Sequence, residues 1–280
     1  MKVLIACEES QAVCKEFRKL GHESYSCDIL DCSGGHPEWH IKEDIFKVIE
    51  GWQKVIYLCD CIFEEWDEDN EMAICPNCLI DFSECDCPGC MQEDEFEYKE
   101  FDDVLYAKRL DFKNWDLMIA FPPCTHLTIS GAQHFEKKKL DGRQQQGIDF
   151  FMAIINAPID KIAVENPIGI MSSEYRKPDQ IIQPYFFGDP FQKTTCLWLK
   201  NLPKLVYNLT PNLFESEVTG TNDKGEFIEI KDKKTGRIKK QPMWYYEAFK
   251  NAKTKEERSI LRSKTFPGIA KAMANQWGNL

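Results

Sequence analysis

A parallel, doubly wound α/β sheet is the fold this sequence predicts, and three observations predict it. Short apolar runs recur at residues 3–6, 116–120 and 161–164, each four or five residues long and bounded by polar or turn-forming residues. Segments with helical spacing separate the early and late runs, the alternation that puts parallel strands side by side with crossover helices on the faces. Finally, chemically active residues follow directly on the runs. Ligands of such sheets bind at the carboxyl ends of strands.

In chain order, residues 3–6 form the first strand. Residues 10–20 follow as a helix, with Ala12, Val13, Phe17 and Leu20 on one face and Gly21 as its stop. Residues 22–28 make a second strand that ends in Asp28. Residues 41–48 carry Glu43-Asp44-Ile45 in a loop and short helix, and residues 54–58 are strand-like. Residues 116–120 are a strand leading into Phe121-Pro122-Pro123-Cys124. The polar, basic segment 131–142 has no period and reads as a mobile loop. A helix over 143–157 leads to the strand at 161–164, which ends in Glu165-Asn166-Pro167. Beyond Met171 the order is weaker: turn chemistry punctuates 210–240, a charged helix spans 247–262, and a terminal helix at 269–277 sets Ile269, Met273 and Trp277 on one face.

Charge is unevenly placed. Residues 59–103 hold 17 Asp and Glu against one Lys, a net of −16; the whole chain carries −11, so the remainder is +5. The acidity belongs to one insertion rather than to the whole surface. No apolar run approaches membrane-spanning length, and the N-terminus runs into Glu8 and Glu9 without a signal-peptide pattern, so an intracellular, cytoplasmic protein is expected. Of thirteen cysteines, five fall between Cys75 and Cys90. Cys75-Pro-Asn-Cys78 and Cys87-Pro-Gly-Cys90 are two knuckles eight residues apart, a spacing that offers four thiolates to a structural, tetrahedral zinc ion. Cys7, Cys14, Cys27, Cys32 and Cys196 read as small hydrophobes.

Two prolines stiffen the turn that presents Cys124, and a thiol held in one place is a nucleophile. Glu165, at the end of the next strand, is an acid delivered to the same rim. Attack on a cytosine ring needs this pair. These motifs resemble those of the DNA cytosine-5 methyltransferases, specifically the small, phage-type members. The resemblance implies a Rossmann-like catalytic domain of class I methyltransferase type. It implies that Cys124 attacks C6 of cytosine, Glu165 protonates N3, Asn166 places the loop and Pro123 shapes the turn. It also implies S-adenosylmethionine as methyl donor and DNA as partner.

For the donor, the resemblance points to Ala6, Cys7, Glu8, Glu9 and Ser10 after the first strand, to Asp28 at the ribose hydroxyls, to Asp44 at the adenine amino group and to Pro122. The stretch from Ala6 to Gln11 lacks the family's glycines, which leaves a different donor open. A silent binding protein acting through its acidic insertion is the other alternative. Gln192-Lys193-Thr194-Thr195 stands nearest to the family's Gln-x-Arg-x-Arg, and residues from Thr265 to Ala274 resemble its last motif. The expected organisation is a catalytic domain from 1–58 and 104–200, the insertion at 59–103, a small recognition region at 201–262 and a returning helix at 263–280. Lys137, Lys138, Lys139 and Arg143, with Lys231, Lys233, Lys234, Arg237, Lys239 and Lys240, are expected to meet phosphates, and Trp244, Tyr245 and Tyr246 to stack on bases or join the core.

Overall fold

The computed structural model describes residues 1–54, 96–101, 104–109, 114–129, 135–210, 219–231, 236–263 and 265–280. The chain opens with β1 (Lys2–Ala6), α1 (Ala12–Lys19), β2 (Glu23–Asp28) and β3 (His40–Lys42). Next come α2 (Ile45–Glu50), β4 (Gln53–Lys54), β5 (Phe96–Phe101) and β6 (Val104–Arg109). It continues through β7 (Leu117–Ala120), α3 (Phe135–Leu140), α4 (Arg143–Ile155), β8 (Lys161–Pro167), α5 (Met171–Glu174), β9 (Gln180–Ile182) and β10 (Thr195–Lys200). The last elements are the hairpin β11 (Phe227–Lys231) and β12 (Ile238–Pro242), then α6 (Met243–Asn251), α7 (Lys255–Ser263) and α8 (Pro267–Trp277).

Two compact units result. One joins Met1–Glu43 to Trp115–Leu280; the other is Asp44–Asn114. The second unit is wider than the acidic insertion read from charge, because β4, β5 and β6 pair with one another as a separate antiparallel sheet in the order β4-β6-β5. Within it Trp52 packs edge-on to Phe101, with ring centroids 5.8 Å apart. The four zinc-knuckle cysteines, Cys75, Cys78, Cys87 and Cys90, lie outside the described residues.

The first unit is built on a seven-stranded sheet in the order β3-β2-β1-β7-β8-β10-β9. Strands β3, β2, β1, β7 and β8 are parallel, and β10 runs antiparallel to both of its neighbours. This is a Rossmann-like α/β architecture. Its central strands β1, after Lys2, and β7 are continuous apolar runs because both faces are covered. Val3 and Ile5 of β1, Leu117 and Ile119 of β7 and Leu197 of β10 join Val13 and Phe17 of α1 and Ile269, Met273 and Trp277 of α8 in one buried cluster. The alternate residues Leu4, Met118, Ile162, Val164 and Trp198 are also fully buried, and α4 lies along β8 with Phe151 edge-on to Trp198. The terminal helix thus folds back beside the first strand's layer, and the Trp277 indole donates to the Pro203 carbonyl at 3.0 Å.

Several elements differ from the sequence reading for local reasons. Helix α1 starts at Ala12, since Gln11 takes a left-handed φ of 57° ahead of it. The basic segment expected as a loop contains α3, anchored by Lys138. The charged helix expected over 247–262 is two helices. Thr254 starts the second one: its hydroxyl accepts from Glu257 N at 3.0 Å while the Glu257 carboxylate accepts from Lys253 N at 2.7 Å. That is the reciprocal pattern of a capping box one residue displaced. Among the described residues, no helix is long and apolar enough to cross a membrane.

Candidate active site

The chain runs outward from β1 to β2 and β3, then returns to pair β7 on the other side of β1. The carboxyl ends of β1 and β7 therefore flank a topological switch point, where crevices open in sheets of this kind. The register is level across it. Cys27, Ala6, Ala120, Val164 and Trp198 are successive partners. One residue further along the parallel strands, Asp28, Cys7, Phe121 and Glu165 come to a single rim.

On the β1 side, buried Ala6 accepts Phe121 N–H at 3.0 Å. Cys7 then takes φ 58°, the left-handed turn that glycine adopts most readily. Glu8 is 4% exposed, and its two carboxylate oxygens accept Val13 N at 2.8 Å and Cys14 N at 3.2 Å. They occupy the amino end of α1. Burial raises the Glu8 pKa to about 7 against the opposing pull of those two N–H groups. Glu9 is buried and accepts the Ser33 hydroxyl. Ser10 is half-buried in the turn, and Gln11 makes a two-point bond to His36, donating to its carbonyl and accepting its N–H. Asp28 is half-buried, and one oxygen accepts Leu30 N at 3.0 Å. In the other unit, Asp44 caps α2, with Oδ1 accepting Phe46 N at 2.8 Å.

On the β7 side, Pro122 is buried, Pro123 exposed and Cys124 half-buried. The Cys124 carbonyl accepts both Leu127 N and Thr128 N, closing a tight turn behind the thiol. Lys138 is buried and donates to the Thr125 carbonyl at 2.6 Å, so it braces this turn and does not belong to a phosphate-facing row with exposed Lys137 and Lys139. Arg143 is paired with Asp141. Buried Asn166 donates from Nδ2 to the Pro122 carbonyl at 3.0 Å. Ile129 N donates to Ile168 O, and Ile170 N to Leu127 O. These bonds stitch the loop after β7 to the loop after β8. Gly169 permits the stitch, since a Cβ there would lie 2.2 Å from the Leu127 carbonyl oxygen. Nothing in the sequence marks Gly169; only the approach of the two loops does.

Glu165 acts electrostatically on Cys124. Burial first, and then the Glu165 charge, raise the Cys124 pKa, while Lys193 and Arg262 oppose them. Burial also raises the Glu165 pKa, against Lys193 and a hydrogen bond from the Thr195 hydroxyl. The arrangement is a thiol beside a carboxyl that holds its proton longer than usual, with a Lys facing both. Lys193 belongs to the segment singled out in the sequence, and its charge acts on both groups, while Arg262 was not foreseen. Burial pushes Cys14 and Cys196 up to about 11, in keeping with packed, unreactive thiols. Trp244 belongs to the packing: its indole donates to Gln192 O at 3.2 Å and its ring meets Phe266 edge-on. Among the described residues, no group of three His, Cys, Asp or Glu is placed to hold a metal ion. Scanned against known protein families, the sequence matches none, and no curated protein matches it.

Proposed function

We propose that this chain modifies cytosine at C5 in DNA, as a DNA cytosine-5 methyltransferase of the class I type. The observation that carries the reading is the Cys124–Glu165 pair, presented after adjacent parallel strands, with the Glu165 charge acting on Cys124 and Asn166 bonding the next strand end to the Pro122 carbonyl. Cys124 gives up its thiol proton to solvent, and the Sγ thiolate forms a bond to C6 as the C5=C6 π electrons shift to C4=C5 and N3 takes up a proton. Glu165 holds the proton that N3 takes up, and burial raises its pKa, which favours the protonated form. Lys193 balances charge as it develops. S-adenosylmethionine, when bound, supplies an electrophilic methyl group for C5. Loss of the C5 proton to solvent, with the N3 proton returning to Glu165, then lets the C6–S bond break and restores the thiolate. A cytosine inside a duplex cannot reach Cys124, so the base must leave the stack, at a cost of a few kcal/mol.

The β1 side suits a cationic donor. Asp28 stands level with Cys7 for the ribose hydroxyls, and the left-handed turn at Cys7 gives without glycine the backbone path a close-lying cofactor needs. A dinucleotide pyrophosphate would seek the amino end of the helix after β1, but the Glu8 carboxylate already fills it. That favours a methyl donor over a nicotinamide cofactor. The Cys-x-x-Cys knuckles support one structural zinc per chain; metal analysis of freshly prepared, reduced protein is expected to find about one equivalent, and none would remove the assignment.

The test is nucleoside mass spectrometry of DNA from cells expressing wild type or Cys124→Ala. A cytosine-derived species made only by wild type is expected, heavier by one methyl group. A larger mass shift means another donor. Equal product from Cys124→Ala overturns the mechanism, and no product from either folded protein favours a binding role.

A further inference from the structure

Two cations not used in that chemistry lie between α6 and α7. Tyr245 and Phe249 are four residues apart on α6, and Arg258 and Arg262 four apart on α7, so each pair shares a helix face. The Arg262 guanidinium carbon stands 4.1 Å from the Tyr245 ring centre, and that of Arg258 stands 4.0 Å from Phe249. The Nε atoms of both are buried without a hydrogen-bond partner. Among the described residues, no carboxylate pairs with either arginine.

A structural arginine between two helices is ordinarily neutralised, because an unpaired cation in partly apolar surroundings costs free energy. Here the aromatic faces offset part of that cost and fix each guanidinium in plane. The two terminal amino groups of such a guanidinium are parallel donors, the fork that matches a phosphate. The two forks are one turn apart, ~6 Å along the axis. Their location is not arbitrary. Trp244 at the start of α6 is bonded to Gln192 O, next to Lys193, and Phe266 lies 5.9 Å from the Lys193 ammonium. Arg262 is also among the charges that act on Cys124.

We propose that Arg262 and Arg258 form a phosphate-binding ladder for the DNA strand whose cytosine enters the Cys124 site. The proposal rests on the cytosine-modification reading and makes α6 and α7 part of the substrate cleft. It is tested by equilibrium binding of Cys124→Ser protein to a mixed-sequence duplex over a range of salt. Adding Arg262→Gln is expected to make the slope of log affinity against log salt shallower by about one, and Arg262→Gln with Arg258→Gln by about two. Arg262→Lys keeps the slope. Should Arg262→Gln not fold, Arg258→Gln alone decides, with a fall of about one. An unchanged slope in folded variants, from a parent that binds, overturns the ladder and leaves the DNA reading intact. A parent that does not bind duplex at low salt overturns both.

Discussion

Glu8 and Glu165 sit at the carboxyl ends of two parallel strands of one sheet, and burial raises the pKa of both. They differ in what holds them. Both oxygens of Glu8 are bonded to backbone N–H groups of α1, so its charge serves the helix end. Glu165 has a hydroxyl and a Lys as neighbours, and a thiol whose pKa it raises. A shifted carboxyl is therefore no guide to chemistry by itself; the partners separate the acid that closes a helix end from the one proposed to react.

The largest expected effect breaks the reactive side. Glu165→Gln keeps shape and loses the proton, so the rate of cytosine modification in single-turnover assays should fall by about 10²–10⁴-fold, with the melting temperature little changed. A fall of less than fivefold would place the acid elsewhere. Next is the stitch. Gly169→Ala forces a Cβ against the Leu127 carbonyl, and denaturant unfolding should read a loss of about 1–3 kcal/mol together with reduced turnover.

The third effect belongs to Glu8. Its pKa is about 7 in the fold against 4.5 for an ordinary glutamate. Between those values the folded chain binds more protons than the unfolded one, so stability falls as pH rises from about 4.5 through 7 and then levels. A shift of this size corresponds to about 3 kcal/mol. Glu8→Gln should flatten the melting temperature across that window, leaving the share that Glu165 contributes with the same sign. An undiminished slope would show that Glu8 is not its source. The smallest effect is at Lys138→Met, which loosens the turn behind Cys124. Activity should drop a few-fold while the salt dependence of DNA binding stays as in wild type, unlike the arginine ladder.

Much of this was legible in the chain. Residues 3–6, 117–120 and 162–164 are buried on both faces of the sheet, which writes itself as uninterrupted apolar runs. Cys124 and Glu165 were visible as residues that follow such runs. What stayed hidden depends on approach rather than on pattern. Gly169 is needed only because another loop's carbonyl comes near it. Lys138 reads as one of three surface lysines until its ammonium is found beneath a turn. Glu8 reads as a donor ligand until α1 begins at Ala12 and claims it. Arg262 lies in a charged helix whose break at residues 252–254 no periodicity announced.

The stitch between the two loops has a kinetic meaning. A thiol and an acid on separate loops would each wander, and both would have to be brought to one ring at every turnover. Joined through Pro122, Asn166, Leu127, Ile168 and Ile170, they share a single set of motions, so that alignment is fixed once, when the chain folds. In the proposed reaction, an opening wide enough to admit a base would carry Cys124 and Glu165 together, as one leaf of a hinge.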